Sequence, residues 1–318
     1  MKARRGYILP EDKERLLRRA IRLEWISLFL TLTIVVAMYL TMGSSQAMKM
    51  ALLEDLLAFV PPAVFLLAMR IRRRPPDESH PYGYSRAILL AFLAAAVAIL
   101  MFGLFMLMDS LSSLIKREHP SIGHFQLFDW QYQIWGGWIM IAALVYAMIL
   151  PVILGHLKMP LAEALHESTL YADADMNKAD WMTAAAAIVG ILGIGLGFWW
   201  ADSLAAAVIS LDVLKDGVTH VRKAMFNLMD QRPTETIGNK PLGLEDLIAE
   251  TLLREPDILD AASRLREEGH IVGGEIFVVL APGQANVARR VQEIAEQARA
   301  LDWRLYDLIV MPVEVIER

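Results

Sequence analysis

The chain has 318 residues, of which 56% are hydrophobic and 21% charged, with a formal net charge of −5 and no cysteine. A mean hydropathy of +0.40 is too high for an ordinary soluble domain, and the lack of cysteine excludes disulfides and thiolate metal sites. The basic clusters flank apolar segments, which favours a role in membrane topology over nucleic-acid binding.

Apolar segments long enough to cross a bilayer follow one another from residue 25 onward. A hydrocarbon core of about 30 Å needs roughly 20 apolar residues in a helix. Two candidate spans contain charged residues. Met50–Met69 carries two acids, and Ala201–Leu228, the sixth span in chain order, is a weaker candidate because charged residues interrupt it. No cleavable signal peptide is visible, so we expect the first span to be retained. Four further candidates carry no charge: Trp25–Met48, Ala87–Met108, Trp130–Gly155 and Trp181–Ala201.

Basic residues indicate how the spans are oriented. Lys and Arg precede the first span, follow the second ("MRIRRRPP") and follow the sixth ("HVRKAM"). The connections after the first span ("TMGSS") and after the fifth ("GFWWAD") contain neither. Since basic residues mark the cytoplasmic side of a membrane, we expect both termini in the cytoplasm.

Beyond about Asp230 the pattern is that of a soluble domain. A glycine-containing turn around Gly269–Gly274 is expected between two strands. The order α-β-β-α-β indicates a ferredoxin-like fold or a close relative. The predicted elements are a helix over Leu242–Arg254, strands over Ile258–Arg266 and Glu275–Ala281, a helix over Gln284–Leu301 and a strand over Trp303–Ile316.

These elements define the expected fold class. We predict a mostly α membrane protein with six transmembrane helices, followed by a cytoplasmic α+β ferredoxin-like domain. The expected domain limits are residues 1–24 for a basic N-terminal segment, 25–230 for the membrane domain and 231–318 for the C-terminal domain.

The second span in chain order contains two adjacent acids, Glu54 and Asp55. Ionisable residues inside a membrane usually face a polar interior and mark a pathway or site. Ala58 lies four residues after Glu54 and three after Asp55, so all three share one side of a helix. Pro61 and Pro62 follow, and prolines free a backbone carbonyl and bend a spanning helix. The pattern predicts a site beside a kink.

A second group of acids stands at the entrance of the fifth span, in "YADADMNKAD" (Tyr171–Asp180). An oxygen-rich face there that meets the acids of the second span suits a divalent cation such as Mg²⁺, Mn²⁺ or Fe²⁺. A thioether on the same face favours softer ions. Four residues at i, i+3, i+4 and i+7 form this single helical face: Asp173, Met176, Asn177 and Asp180.

Four segments occur in a fixed order: "GSSQAM" with an acid shortly after it, "PPDESHPYGYSRA", "YADADMNKADW" and "WWADSLAAAVISL". Together they resemble the cation diffusion facilitator family, over roughly Ser44 to the C-terminus. The resemblance implies a metal/proton antiporter with six spans and a cytoplasmic ferredoxin-like domain that works as a homodimer.

The resemblance also implies where the transported ion binds. Members of the family use two residues four apart on the second span and two residues four apart on the fifth. Ala58 and Met176 depart from the family pattern of Asp or His, which puts zinc in doubt because tetrahedral zinc takes four N, O or S ligands. The corresponding positions here are Glu54, Ala58, Met176 and Asp180.

Oxygen donors near these positions are expected to complete the site. Asp55, Asp173 and Asn177 are the nearest candidates, although Asp55 has an equally good structural or interfacial use. The expected metal residues are therefore Glu54, Asp55, Asp173, Met176, Asn177 and Asp180.

The other expected metal residues also have a purely structural interpretation. In that interpretation, Glu54 and Asp180 form a buried hydrogen-bonding pair, and Met176 fills packing space. Asn177 would hydrogen-bond across helices, and Asp173 would belong to a solvated first turn favoured by the helix dipole.

The expected function is proton-coupled efflux of a divalent cation of the Fe, Mn, Co or Zn class, in the plasma (inner) membrane of a bacterium. We expect no enzyme activity, no tightly bound cofactor and no nucleic-acid partner. The expected partners are metal ions and protons as substrates, the bilayer, and a second copy that binds through both domains. The altered ligand positions motivate an alternative, a transport-inactive member that acts as a metal-sensing or structural membrane dimer. An intramembrane hydrolase using paired acids is a further, weaker alternative.

Overall fold

The structure is a computed structural model that describes residues 9–72, 74, 76–117, 122–126, 133–236, 240–269, 271–284 and 286–316. Within these residues, long helices precede a small α/β unit. A hairpin of β1 (His124–Gln126) and β2 (Gln133–Trp135) joins the fourth helix to the fifth. The helices are α1 (Glu11–Thr41), α2 (Gln46–Leu57), α3 (Val60–Arg72), α4 (Ala87–Ile115), α5 (Gly136–Leu165), α6 (Ser168–Gly195) and α7 (Trp199–Leu228).

Five segments of the described chain are long and apolar enough to cross a membrane: α1, α2 with α3, α4, α5 and α6. Their limits differ from the predicted spans. Helix α1 begins at Glu11 instead of Trp25, and α6 begins at Ser168 instead of Trp181. Hydropathy detects where charge is absent, whereas a helix continues as long as its backbone hydrogen bonds do. The predicted start of the fourth span, Trp130, lies outside the described residues.

The sixth predicted span corresponds to α7, which has 30 residues but is not among the five most apolar segments. It packs closely along α4. A Cβ on Gly103 of α4 would lie 2.8 Å from the Leu214 backbone, and one on Gly217 of α7 would lie 2.6 Å from the Leu100 Cα. Small residues that let two backbones approach are typical of packed membrane helices. This contact supports α7 as a spanning helix, and the count of six stays a prediction.

The second span is broken beside its acids. Helix α2 ends at Leu57, and α3 starts at Val60. Pro61 and Pro62 have no N–H to donate to the last carbonyls of α2, so the ladder of backbone bonds is interrupted there. The prolines therefore coincide with an interruption of the helix about one turn after Glu54.

The C-terminal unit contains α8 (Leu244–Leu252), β3 (Ile258–Glu268), β4 (Ile271–Leu280), α9 (Val287–Leu301) and β5 (Leu305–Pro312). The sheet order is β3-β4-β5, with β3 antiparallel and β5 parallel to the central β4. Both helices share one apolar core with the sheet. The α-β-β-α-β order and the mostly α fold class are confirmed.

The turn predicted around Gly269–Gly274 was too long. Gly269 lies in the turn, but Gly273 and Gly274 lie inside β4. A Cβ on Gly274 would lie 2.1 Å from the carbonyl oxygen of Arg264 on β3, so no side chain fits at this position. The glycine pair therefore serves close strand packing instead of chain reversal.

The C-terminal unit meets the helices at the corner between α5 and α6. His166 in this corner lies 3.2 Å from the Glu267 carboxylate of β3, measured from Nε2 to Oε1. Lys13 of α1 donates to the carbonyl of Ala164 at 3.1 Å and lies 5.0 Å from the centre of the Trp303 ring. The start of α1 and the C-terminal unit therefore lie at the same end of the bundle.

A buried acid from α7 caps the start of α2. Asp202 is fully buried and accepts hydrogen bonds from the Ser45 hydroxyl at 2.6 Å and from the backbone N–H groups of Gln46 and Ala47 at 2.5 and 3.2 Å. Ser45 in turn accepts the N–H of Met48 at 3.1 Å. The carboxylate thus satisfies the free N–H groups of α2 and faces the positive end of its dipole.

We predict that Asp202→Ala destabilises the protein. The substitution leaves buried donors at the start of α2 without an acceptor, and each such donor costs about 1–3 kcal/mol. Thermal unfolding of the detergent-purified protein measures the effect. Asp212→Ala, on the partly exposed side of the same helix, is the control and should unfold near the wild-type temperature. A wild-type unfolding temperature for Asp202→Ala would contradict the capping role.

Candidate functional site

Three acids from two helices line one small internal cavity. Glu54 and Asp55 belong to α2, and Asp180 belongs to α6. Thr183, also from α6, adds a hydroxyl. The remaining lining is apolar and comes from α1, α2, α5 and α6: Met38, Ala51, Leu144, Ala147, Met148 and Ala184.

The cavity has a volume of about 20 Å³. A single water needs roughly 10–15 Å³ of such space. The cavity therefore has room for one water molecule or one bare cation, and a fully hydrated ion does not fit. Several alanines in the lining keep this space open next to the acids.

Within the described chain, one carboxylate oxygen of Glu54 accepts a hydrogen bond and the other has no hydrogen-bond partner. Its Oε1 accepts a hydrogen bond from the Thr183 hydroxyl at 3.0 Å. Its Oε2 is buried and has no hydrogen-bond partner among the described residues. Buried carboxylate oxygens are normally satisfied, so an oxygen left over beside a cavity is typical of a group that binds an exchangeable ligand.

The local backbone explains how the acids reach the same space. Glu54 and Asp55 lie in the last turn of α2, directly before the break, and Ala58 is the C-cap residue of this helix. Asp180 and Thr183 are three apart on α6 and lie on the same side of that helix. Helices α2 and α6 contact each other directly. The broken span and the continuous α6 therefore present their polar sides to each other.

The acids do not converge on one point in this conformation. Within the described residues, no group of three or more His, Asp or Glu side chains is arranged to hold a metal ion. Ligation of one ion by all three acids therefore needs rotation of their side chains toward the cavity centre.

The other expected ligands, Asp173, Met176 and Asn177, are not among the residues that line this cavity. Met176 is partly buried and packs against the main apolar core of the bundle. Asp173 and Asn177 lie in a different polar cluster, where the Asn177 amide donates to Asp173 Oδ2 at 3.0 Å. The four residues predicted to share one face do lie on α6, but the side chains at the two ends of this face contact different parts of the protein.

The partner of Asp173 is a lysine that is completely buried. Lys158 of α5 bonds to the Asp173 carboxylate and, at 3.1 Å, to Glu24 Oε2 of α1. Lys158 and Glu24 have no exposed side-chain surface, and Asp173 is 3% exposed. This cluster joins α1, α5 and α6 through one ammonium group.

Sequence reasoning missed Lys158, Glu24 and Thr183. The fourth predicted span ends at Gly155, before Lys158, whereas α5 continues to Leu165. Thr183 lies three residues after Asp180, so helical spacing alone would have placed it on the same face. Glu24 precedes the apolar segment and gives no signal in the sequence that it is buried.

Asp77, in the connection between α3 and α4, has protein partners for both oxygens. Tyr84 donates its hydroxyl at 2.7 Å, and the backbone N–H of His80 donates at 2.7 Å. The Tyr84 hydroxyl and the His80 N–H lower the pKa of the Asp77 carboxyl. Asp77 thus supports the fold of the connection.

A bundle of apolar helices in which acids of two helices face one small cavity is typical of membrane proteins that carry ions. The family model for the cation efflux transmembrane domain matches residues 24–229. The chain therefore belongs to the cation diffusion facilitator family and is an integral membrane protein, as its motifs suggested.

Similar proteins come from several bacteria. The manganese efflux system protein MneS of Bacillus subtilis is 27% identical over 190 residues, which cover 58% of this chain and 59% of MneS. The putative transporter MamV of Paramagnetospirillum magneticum is 25% identical, over 66% of this chain and 59% of MamV. The manganese efflux system protein MneP of B. subtilis is 20% identical, over 59% and 61%. The chain thus spans about three fifths of the length of these relatives.

We predict that Lys158→Met lowers stability strongly. Removal of the ammonium leaves Glu24 and Asp173 buried without their counter-charge, and breaking a buried ion pair in this way costs about 3–5 kcal/mol. Thermal unfolding in detergent measures the loss, with Lys215→Met as the exposed control.

A compensated variant separates charge from packing. The triple variant Glu24→Gln/Lys158→Met/Asp173→Asn has no uncompensated charge in the cluster, so it should recover most of the lost stability. If the triple variant is no more stable than Lys158→Met alone, the cluster acts through packing and not through charge.

Proposed function

We propose that the protein exports a divalent metal cation in exchange for protons. The proposed ligands are Glu54, Asp55 and Asp180. The observation that carries the proposal is the shared cavity: acids from two different helices line a space large enough for one bare ion. Membership of the cation efflux family supports the same function.

The ligand chemistry favours ions that accept oxygen donors. The polar groups that line the cavity are carboxylate and hydroxyl oxygens, and the described residues contribute no imidazole to it. Oxygen ligands suit Mn²⁺ and Fe²⁺, and Co²⁺ and Zn²⁺ remain in the proposed class because they bind most N and O sites more tightly than Mn²⁺ does. Two similar proteins carry names that state manganese efflux. We propose Mn²⁺ as the first ion to test.

The same acids account for coupling to protons. A carboxylate binds either a proton or the cation, so metal binding releases protons and protonation releases metal. When helix movements open the site to the opposite side of the membrane, protons from that side displace the ion. The ligands are therefore also the proton carriers, and no separate relay is required.

We propose structural roles for the remaining expected ligands. Met176 is proposed as a packing residue beside the site. Asp173 and Asn177 are proposed to hold Lys158 and so to fix α6 relative to α1 and α5. Both assignments rest on the contacts these side chains make.

The remaining features of the proposal follow the family and the charge pattern. We propose a homodimer in the bacterial plasma membrane, with both termini in the cytoplasm. The contacts that hold the start of α1 and the C-terminal unit at one end of the bundle support a common side for both.

We predict that Glu54→Gln and Asp180→Asn each abolish Mn²⁺ flux in proteoliposomes, measured with a metal-sensitive dye beside a pH dye. Each amide keeps the shape of the side chain but loses the charge that holds the ion. Glu78→Gln, an exposed acid between α3 and α4, is the control and should transport at the wild-type rate.

The outcomes separate the alternatives. Wild-type flux in both site variants would overturn the proposed site. If the wild-type protein binds Mn²⁺ but moves neither Mn²⁺ nor Fe²⁺, Co²⁺ or Zn²⁺ in reconstituted vesicles, the transport-inactive sensing or structural dimer becomes the better assignment.

The proposed exchange also predicts the sign of a pH effect. Because the free site holds protons that the metal must displace, apparent Mn²⁺ affinity should rise with pH. Each proton released per ion contributes about a tenfold change in affinity per pH unit where the ligands are protonated. Titration calorimetry at several pH values in detergent measures this slope. An affinity that stays constant between pH 5 and pH 8 would contradict proton exchange at the site.

A further inference from the structure

A second, larger cavity lies next to the acid cavity. It is a cleft of about 290 Å³ between α6 and α7. Most of its lining is apolar, with Leu211 and Val208 of α7 among the lining residues. Its polar side chains are Thr183 of α6 and Asp212 and Lys215 of α7.

Thr183 lines both cavities. Its side chain is mostly buried, at 9% exposure, and its hydroxyl donates to Glu54 Oε1 at 3.0 Å. The hydroxyl oxygen still has lone pairs that can accept or bind a cation. Thr183 is therefore the polar group that the cleft and the acid cavity have in common.

The two volumes differ in what they can contain. One water needs about 10–15 Å³ of such space, so a cleft of about 290 Å³ can hold an ion with several of its waters. The acid cavity of about 20 Å³ can hold only the bare ion or one water. A cation that passes from one to the other must exchange water for protein oxygens at the boundary, and Thr183 stands at that boundary.

We propose that the transported cation enters the acid cavity from the α6–α7 cleft across Thr183, whose hydroxyl replaces one of the ion's waters and delivers the ion to Glu54. Thr183 is then a further residue that determines affinity and ion preference. This inference rests on the proposed function and names the route to the same site.

The charges in the cleft fit a cation route. Asp212 is about one-third exposed and forms an ion pair with Lys215 at 3.8 Å, and Lys215 is 76% exposed. Exposed ion pairs of this kind contribute about 1 kcal/mol or less. An incoming divalent ion can therefore displace the flexible ammonium from Asp212 before it reaches Thr183.

The first experiment compares Thr183→Val with Thr183→Ser in the Mn²⁺ flux assay. Valine has nearly the same shape but no oxygen, whereas serine keeps the hydroxyl. We expect Thr183→Val to lower kcat/KM for Mn²⁺ by about 10- to 100-fold, mainly through KM, as loss of a supporting partner of a metal ligand does. We expect Thr183→Ser to stay within a few-fold of the wild type.

Two further readouts keep the result interpretable. Unfolding temperatures of both variants show whether a loss of flux is a loss of fold. Glu54→Gln, measured in parallel, tests the proposed function itself. If Glu54→Gln abolishes flux while Thr183→Val transports like the wild type, the inference is overturned and the proposed function stands. If Glu54→Gln transports normally, the proposed function fails.

The second experiment tests the route without altering Thr183. The chain has no cysteine, so single cysteines report unambiguously. Leu211→Cys places a thiol in the cleft, and Leu204→Cys places one on α7 outside it; the two native side chains are similarly exposed, at 52% and 46%.

A charged, water-soluble thiol reagent should label Leu211→Cys and block Mn²⁺ flux, and bound Mn²⁺ should slow the labelling. Labelling of Leu204→Cys should leave flux unchanged. If Leu211→Cys does not react, or reacts without any effect on flux, the cleft is filled by lipid or by a second copy of the chain and the route is refuted.

Discussion

The physical constraint that organises this protein is that charge inside a membrane must be compensated. Asp202 is compensated by the N–H groups at the start of α2, and Glu24 and Asp173 are compensated by Lys158. In the described chain, Glu54, Asp55 and Asp180 form no ion pair with a basic side chain. These three acids, which line one cavity, therefore have no fixed counter-charge among the described residues.

The two groups of acids differ in whether a basic side chain of the protein provides their counter-charge. Lys158 of α5 gives Glu24 and Asp173 a counter-charge that belongs to the chain itself, which favours a structural role for that cluster. Glu54, Asp55 and Asp180 line a cavity to which the described residues contribute no basic side chain, and we propose that they exchange protons for a metal ion. Helix α6 thus carries Asp173, which has a lysine partner, and Asp180, which has none among the described residues.

Helix irregularities and small residues give the exchangeable site its shape. The break after α2 places Glu54 and Asp55 at a helix end, where the backbone has fewer constraints than in the middle of a span. Alanines on α2, α5 and α6 leave the space that the ion is proposed to occupy. In the corner between α5 and α6, His166 contacts Glu267 of the C-terminal sheet at 3.2 Å.

The sequence alone determined the apolar spans, the α-β-β-α-β unit, the break at the prolines and the candidate acids Glu54, Asp55 and Asp180, because hydropathy, periodicity and proline chemistry are local properties. Only the tertiary structure decided that Asp173 and Asn177 pair with Lys158, that Asp202 caps another helix, and that Thr183 joins two cavities. Helical periodicity states which residues share a face, but not which neighbouring helix that face meets. Which residues distant in sequence become partners depends on how the helices pack. This packing also decides which acids of the membrane domain receive a counter-charge from the protein.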